Sequence, residues 1–448
     1  MNNKNGIISL MLLIWGISSS GAIAQNVTAF SLLEAQAYAV DSSYKARVAL
    51  YKVEESEYQV KETMSMGFPQ LNAVVDYSYN IALPVQLIPA EFIGGNPGEF
   101  TEIQFGTKNS MMAGATLSQL IFDGTYIVGL KGAKIYNELV AQQKGATDFQ
   151  VKKTTADAYY YAVVSVENHR MLMDNLAELE KQLFETTKFY ENGLIEEQNV
   201  DQLKLNVGKV QIEVDNASRQ MIIAQNMLKF QMGFPLSDSI VLSDNIQVLI
   251  DNATTEIAGR YVFDVSTNIQ YKVANTWVDV REMQVKLEKA KYLPSLNAKL
   301  NVQGNSYEEN LDYFSNGAVW YGSSFLGVSM QIPIFSGLAR HSSVQKAKVN
   351  SLITIVQKEE LEASLQLQLA TANANFNQAL AAFNISKENV EFGKKIRDRT
   401  YIKYQEGMAT SFELTQSESQ LINNQFNLVA AALNLFEAKT QIDEILNN

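Results

Sequence analysis

The chain has 448 residues, a formal net charge of −12 and no cysteine. The missing thiols exclude disulfides, thiolate metal sites, cysteine nucleophiles and a lipid-carrying cysteine at a mature N-terminus. The negative balance argues against nucleic acid, whose phosphates require a basic surface, and it fits a solvated surface equally well.

Lys4, the apolar run Ile7 to Ile17 and the small-residue site Ala22-Ile23-Ala24 predict a secretory signal over residues 1–24, cleaved before Gln25. A short membrane anchor is the other reading, but the run falls well under the roughly 20 residues that a spanning helix needs. No later stretch reaches 18 consecutive apolar residues, so no helix is expected to cross a bilayer. Residues 25–68 read as helix, the pattern running from about 28 to 66 and stopping before Gly67-Phe68-Pro69.

Residues 69–123 read as a first β-hairpin. Leu71, Ala73, Val75, Tyr77 and Tyr79 alternate with Asn72, Asp76, Ser78 and Asn80, the period of a strand with one apolar face. A loop rich in proline and glycine follows, carrying Phe92 and Phe100, and a second strand is expected over 113–122, with Gln119 on its apolar side. Residues 124–232 then read as a helical hairpin, one long helix to Tyr190, a turn at Glu191-Asn192-Gly193, and a second helix to Met232. All seven prolines lie outside the two long stretches 124–190 and 337–404, and a helix interior excludes proline by roughly 3 kcal/mol. At about 1.5 Å per residue each stretch makes a rod near 100 Å long, so it must pack beside others. Gly233-Phe234-Pro235 stops the first hairpin, and residues 233–260 read as an irregular connector.

From there the chain repeats itself. Residues 261–293 read as helix and 294–336 as a second β-hairpin, with Leu296, Ala298, Leu300 and Val302 alternating against Asn297, Lys299, Asn301 and Gln303. After a loop with Tyr307, Tyr313 and Trp320, a strand over 326–334 is expected, and residues 337–448 read as a second helical hairpin. Leu293-Pro294-Ser295-Leu296 echoes Phe68-Pro69-Gln70-Leu71, and Ile334-Phe335-Ser336-Gly337 echoes Ile121-Phe122-Asp123-Gly124. Leu414, Leu421, Leu428, Leu435 and Ile442, spaced by seven, make a coiled-coil seam. Their counterparts 214 residues earlier are Val200, Val207, Val214, Met221 and Leu228. The chain is a duplicated helix–strand–strand–helix–helix unit.

The shorter helices after the turns need partners to match the long rods. The simplest stacking sets 261–292 on the helix ending at Met232, and 29–66 on the C-terminal helix. Four strands of about ten residues suit the tilted strands of an outer-membrane barrel, yet the smallest such barrel takes about eight. Edges left open must pair with other copies, because a bilayer tolerates only a closed ring. Two copies leave little lumen between the helical columns, so three are favoured.

At these residues the sequence resembles the TolC-like outer-membrane efflux protein family, over essentially the whole mature chain. The features that carry the resemblance are the Leu-Pro-Ser-Leu start (293–296), the Ile-Phe-Ser-Gly finish (334–337), the Tyr-x-x-Gly turns (190–193, 404–407) and the duplication. The resemblance implies a mixed α and transmembrane β fold. Duplicated long-helix coiled-coil hairpins form an α-barrel, and the four strands of each chain form one third of a twelve-stranded trimeric β-barrel. It implies a passive channel-tunnel, the exit duct of a tripartite efflux pump or a type I secretion system, in the outer membrane of a Gram-negative-type bacterium with the helices in the periplasm. The implied partners are a periplasmic adaptor (membrane fusion) protein, an inner-membrane pump and outer-membrane lipid, with no nucleic acid, no cofactor and no enzymatic activity.

The resemblance makes Gly193-Leu194-Ile195 and Gly407-Met408-Ala409 the adaptor-contact tips. Reversal of the chain at a helix end explains the two glycines, but not an exposed apolar residue after each. It also marks Tyr404, Glu413 and Gln416 as the periplasmic entrance constriction. Only Glu413 of the two acidic positions carries an acid, their first-repeat equivalents are Asn199 and Gln202, and Ala409 replaces a basic gate residue. Three Glu413 carboxylates around an axis would attract cations, whereas a single one in a helix's first turn merely complements the macrodipole.

His169 and His341 have no second histidine near them in sequence, which disfavours metal ligation and general-base work. Tyr159-Tyr160-Tyr161 fits helix packing better than a substrate platform. Tyr77, Tyr79 and the loop aromatics suit the interfacial girdle of a barrel. A secreted, soluble coiled-coil structural or adhesive protein is the alternative function, and the apolar strand faces argue against it.

Overall fold

The computed structural model describes residues 28–258, 263–315 and 317–446. The signal expected over 1–24 lies outside them. The chain opens with β1 (Thr28–Phe30), α1 (Leu32–Ser42) and α2 (Tyr44–Ser65), then the strands β2 (Gln70–Tyr79), β3 (Val85–Pro89), β4 (Phe100–Gln104) and β5 (Asn109–Asp123). The first helical hairpin is α3 (Gly124–Glu191) with α4 (Glu197–Met232), followed by β6 (Ile240–Leu242), α5 (Ile246–Ala258) and α6 (Ile269–Ala290). The strands β7 (Ser295–Glu308) and β8 (Tyr321–Gln331) lead to the second helical hairpin, α7 (Ala339–Gln405) with α8 (Ser411–Leu446).

The single N-terminal helix expected from about 28 to 66 is instead a short strand and two helices. Ser31 and Glu34 close a capping box at the start of α1. Ser43 then takes an extended conformation (φ −63°, ψ 150°), and its hydroxyl accepts from Ala46 N at 3.2 Å to cap α2. The break has a partner. Gly233, in the left-handed region at φ 72°, ends α4 so close to Ser42 that an added Cβ would lie 2.5 Å from the Ser42 carbonyl oxygen. Phe30, Tyr38 and Phe234 pack edge to face around this joint, with ring centroids 5.6–5.7 Å apart.

That joint reverses the expected stacking. The first-repeat helix α4 meets α1 and α2, while Asn268, the N-cap of α6, donates its side-chain amide to the Ile445 carbonyl at 2.8 Å near the end of α8. Each repeat therefore closes its own column. The helix expected from 261 begins at Ile269, because Asn268 supplies the cap through bonds from Gln270 N and Tyr271 N. The connector is not irregular either. β6 pairs in parallel with β1, and Leu249, Ile250 and Ala253 bury one face of α5.

The long helices start from defined signals. Asp123 accepts from Thr125 N at 2.6 Å and Tyr126 N at 3.0 Å, fixing the first turn of α3. Gly337 and Leu338, both at positive φ, swing the chain into α7. Along the seams Leu414, Leu421, Leu435 and Ile442 are buried, as are Val200, Val214 and Leu228. The main apolar core surrounds the junction of α1, α3, α4, α5, α7 and α8, where Tyr159 is fully buried and Tyr160 stacks on Phe436 at 4.1 Å. These contacts give Tyr159 and Tyr160 the packing role expected of the Tyr159-Tyr160-Tyr161 run, whereas Tyr161 is exposed.

The four long strands form one antiparallel sheet in the order β2-β5-β7-β8. Its central pairing, β5 with β7, joins the two repeats. The strand expected over 113–122 runs from Asn109 to Asp123, with a register shift between Leu120 and Phe122. Gln119, on the apolar side, is satisfied there by donating to the Gly67 and Leu120 carbonyls at 2.8 Å. The strand expected over 326–334 ends at Gln331, before Pro333, and starts earlier, at Tyr321. The long loop of the first β-hairpin holds its own antiparallel pair, β3 with β4.

Candidate functional site: sheet faces, helix tips and the layer behind them

The sheet register gives the two faces different characters. Leu71 opposes Leu117, Leu117 opposes Leu300, and Leu300 opposes Leu326, an unbroken leucine row across all four strands. Ala73, Ala115 and Val302 make the next row outward on the same face. The other face is mainly polar, interrupted by Val74, Met112 and Phe325, and there Asn301 donates to Thr116 Oγ1 at 2.9 Å. The leucines are left exposed, Leu71 at 71% and Leu326 at 75%. Beyond the apolar rows, Tyr77 bonds Asn109 Oδ1 at 2.7 Å and meets the Tyr313 ring edge to face at 6.1 Å. Trp320 covers Gly304 and donates to the Tyr313 carbonyl at 3.2 Å. These aromatics close the outer border of the leucine-bearing face, as an interfacial girdle requires.

At the opposite end, the two turns share one geometry. Gly193 and Gly407 stand at φ 71° and 72° with open space where a Cβ would sit. Gly193 N bonds Tyr190 O at 2.8 Å and Leu194 N bonds Phe189 O at 2.9 Å. Gly407 N bonds Tyr404 O at 3.0 Å and Met408 N bonds Lys403 O at 2.8 Å. This paired capping leaves Leu194 and Met408 exposed, while Ile195 and Ala409 are half-buried.

Of the expected constriction residues, Tyr404 reaches Thr186 Oγ1 on α3 at 3.5 Å. Glu413 is exposed and closes a capping box with Thr410, accepting from its backbone nitrogen at 2.8 Å and its hydroxyl at 3.1 Å. The Thr410 backbone bond, then its hydroxyl and nearby Lys403, hold the Glu413 carboxyl below the usual carboxylate range. Gln416 is exposed. Gln202 accepts from the Ser411 hydroxyl at 3.1 Å and so links the two hairpins.

Behind the tips lies a polar layer that sequence reasoning missed. Gln182 on α3 and Glu418 on α8 are almost fully buried, with Arg397 of α7 beside them. Tyr401 of α7 donates to Glu185 of α3, and Gln405 donates to the same carboxylate at 3.1 Å. Burial, and then the hydrogen bond it donates to the ionised Glu185, raise the Tyr401 hydroxyl well above its ordinary value. The signal was present, since Glu418 falls between Leu414 and Leu421 on the seam side of the helix. Among the described residues no cluster of metal-ligating side chains occurs, and no helix is long and apolar enough to cross a membrane.

Residues 268–448 match the family model described as outer membrane efflux protein. Outer membrane protein TolC of Escherichia coli (strain K12) is 20% identical over 97% of this chain and 87% of its own length. Among solved structures, the fold resembles VceC of Vibrio cholerae, with TM-score 0.66, 15% identity and coverage of 93% of this chain and 96% of that one. It equally resembles the Campylobacter jejuni CmeC outer membrane channel, with TM-score 0.68, 14% identity and coverage of 93% and 85%. The open state of the Neisseria gonorrhoeae MtrE outer membrane channel gives TM-score 0.68 at 16% identity, covering 93% and 89%. This is a family of outer-membrane channels, not of enzymes. The chain is thus similar to the outer-membrane efflux proteins, by the family match over residues 268–448, by distant sequence likeness to TolC over nearly its whole length and by fold, a likeness that puts it in the outer membrane with its helices in the periplasm.

Proposed function

We propose that three copies of this chain close into a channel-tunnel, a twelve-stranded barrel continued by an α-helical barrel, and that this passive duct is the outer segment of an efflux pump or type I secretion system. The observation that carries the reading is a sheet with an exposed leucine row and two unpaired edges, β2 and β8. An open sheet in lipid leaves a column of backbone groups without partners, which a bilayer does not tolerate. The four strands alternate in direction, so β8 of one copy laid beside β2 of the next continues the antiparallel pattern. Exposed apolar stripes on the flanking helices suit the same closure, with Leu205, Ile212 and Ile223 on α4 and Val349, Ile353 and Val356 on α7.

In this reading the turns at Gly193 and Gly407 are the ends that a periplasmic adaptor holds, with Leu194 and Met408 as its apolar contacts, and an inner-membrane pump drives transport through that adaptor. Tyr404, Glu413 and Gln416 lie at the entrance. The duct opens by movement of the second hairpin against the first, so the α3–α7–α8 polar layer governs its ease.

Extraction from membranes and reconstitution in planar bilayers test the proposal. The expected result is release only by detergent, a trimer that is a β-barrel oligomer on a denaturing gel, and discrete single-channel currents. A monodisperse monomer in lipid without conductance defeats it, and release without detergent points to a soluble coiled-coil protein.

A further inference from the structure

The polar face of the sheet is not uniform toward its outer end. Tyr321 on β8 opposes Asn305, Phe325 opposes Asn301, and Tyr307 stands one same-face step beyond Asn305 on β7. All three rings therefore lie on the face opposite the leucine row, Tyr307 within β7 rather than among the loop aromatics expected at the girdle. The Tyr307 and Tyr321 rings sit 6.2 Å apart at 42°, and the three side chains are 53%, 60% and 55% exposed. Apart from the Tyr307–Tyr321 pair, these rings stand open on a face that also carries asparagine, glutamine, serine and threonine.

The charge on this face is equally localised. Asp76 opposes Met112, Met112 opposes Asn305, and Asn305 opposes Tyr321, so the Asp76 carboxylate and the Tyr321 ring share one row. Lys299 is on the same face but six residues inward along β7, about 20 Å away at strand spacing. Ring closure sets β8, which carries Tyr321 and Phe325, beside the next copy's β2, which is the strand that carries the aspartate.

We propose that Tyr307, Tyr321 and Phe325, together with Asp76, form an aromatic collar near the outer mouth of the duct that binds planar organic cations in transit. This rests on the reading of the chain as a closed duct, since the apolar face must meet lipid and the polar face then lines the lumen. Aromatic faces attract cations through the ring quadrupole, and a carboxylate in the same row attracts them again. Stacking selects flat cargo over aliphatic cargo of equal charge. The contacts are few and solvent-exposed, so binding is brief, as conduction requires.

Single-channel recording of the full-length protein tests the collar with tryptamine and butylamine, which carry the same charge and differ in the ring. Tryptamine is expected to cause brief, reversible interruptions of the current that butylamine does not cause. The Tyr307→Ala/Tyr321→Ala/Phe325→Ala variant is expected to keep an open, unblocked channel but shorten the tryptamine dwell by about fivefold or more. Asp76→Asn is expected to weaken the tryptamine block. Equal block by the two amines, or an unchanged dwell in the triple variant, overturns the collar. Absence of any conductance from the wild-type protein defeats the duct reading itself and is recognisable as such. Should the triple variant give no channels, tryptamine relief of Phe325→Ala alone decides, with an unchanged dwell counting against the collar.

Discussion

The Gln182 side-chain nitrogen donates to Glu418 Oε1 at 3.0 Å, joining α3 to α8 inside the helical layer. Arg397 on α7 stands 3.8 Å from the same carboxylate and 3.7 Å from Glu178 on α3. Burial pushes the Glu418 carboxyl above the usual carboxylate range. Gln182 and Arg397 pull it back, and the nearby acids Glu178 and Asp398 add to the upward push. A carboxyl raised in the folded state contributes most below its unfolded pKa, and that contribution is lost as pH rises through the folded value. The layer is therefore expected to be tighter in mild acid than at neutral pH. Amide exchange along residues 178–186 checks this, with slower exchange expected at pH 5 than at pH 8 after correction for intrinsic rates. Glu418→Gln should remove the difference.

Arg397 carries the opposite risk. Removing one partner of a buried ion pair leaves an uncompensated charge, a loss of about 3–5 kcal/mol in other proteins. Arg397→Ala is expected to destabilise the helical hairpins by an amount of that order, and Arg397→Ala/Glu418→Gln to recover most of it. A double-mutant cycle on denaturant unfolding measures the coupling. Additive effects of the two changes would mean that Arg397 acts through Glu178, Asp398 or packing rather than through Glu418.

The two sheet faces predict opposite responses to charge at adjacent positions. Leu300 sits in the leucine row and Asn301 on the polar face. An arginine on the lipid face near mid-membrane costs about 2–4 kcal/mol, while lumen positions tolerate charge. In the proposed barrel, Leu300→Arg should therefore lower yield and stability in lipid, and Asn301→Arg should fold normally and alter conductance. Refolding into vesicles, followed by gel mobility, distinguishes the two.

The leucine row was half legible in the sequence. Alternation in 71–79 and 296–302 named the strands and their apolar sides, because a side-chain period of two survives wherever one face meets lipid. What alternation lacks is register, so Leu117, on a strand blurred by Gln119 and by the shift near Ile121, appeared as its partner only in the folded sheet. The helical seams were readable for the same periodic reason. The break at Ser43 was not, although Asp41-Ser42-Ser43 is capping chemistry, because its cause is the arrival of Gly233 from nearly 200 residues away. Column stacking failed likewise, since length alone does not say which helix ends touch. The Gln182–Glu418 layer went unseen because one of its residues lies in each hairpin, and only the packed hairpins bring them together.

The positive-φ glycines separate by what surrounds them. Gly193 and Gly407 have nothing within 4 Å of an added Cβ, whereas Gly233 would meet the Ser42 carbonyl oxygen at 2.5 Å. Gly193→Ala is expected to cost only the left-handed penalty of about 1–2 kcal/mol. Gly233→Ala adds a backbone clash, so it should cost distinctly more and loosen the joint between α4 and α1. Thermal unfolding of the two variants side by side gives the comparison. Equal losses would show that the Ser42 contact yields without strain.

Glu413 is the sharpest test of the entrance. In the single subunit its carboxylate is spent on Thr410, through the backbone nitrogen at 2.8 Å and the hydroxyl at 3.1 Å, while the Glu413 backbone nitrogen returns a bond to the Thr410 hydroxyl at 3.2 Å. A capping carboxylate still keeps its charge, and being held below the usual range it remains ionised well into acid. If three of them ring the entrance, Glu413→Lys should reverse the cation preference measured from the reversal potential in a salt gradient, and Glu413→Gln should reduce it. Thr410→Ala frees the same carboxylate from its cap without removing the charge, so the selectivity should persist in that variant while the first turn of α8 frays. A reversal potential indifferent to both changes at Glu413 would confine this residue to its capping role and leave the selectivity of the duct to other groups along the lumen.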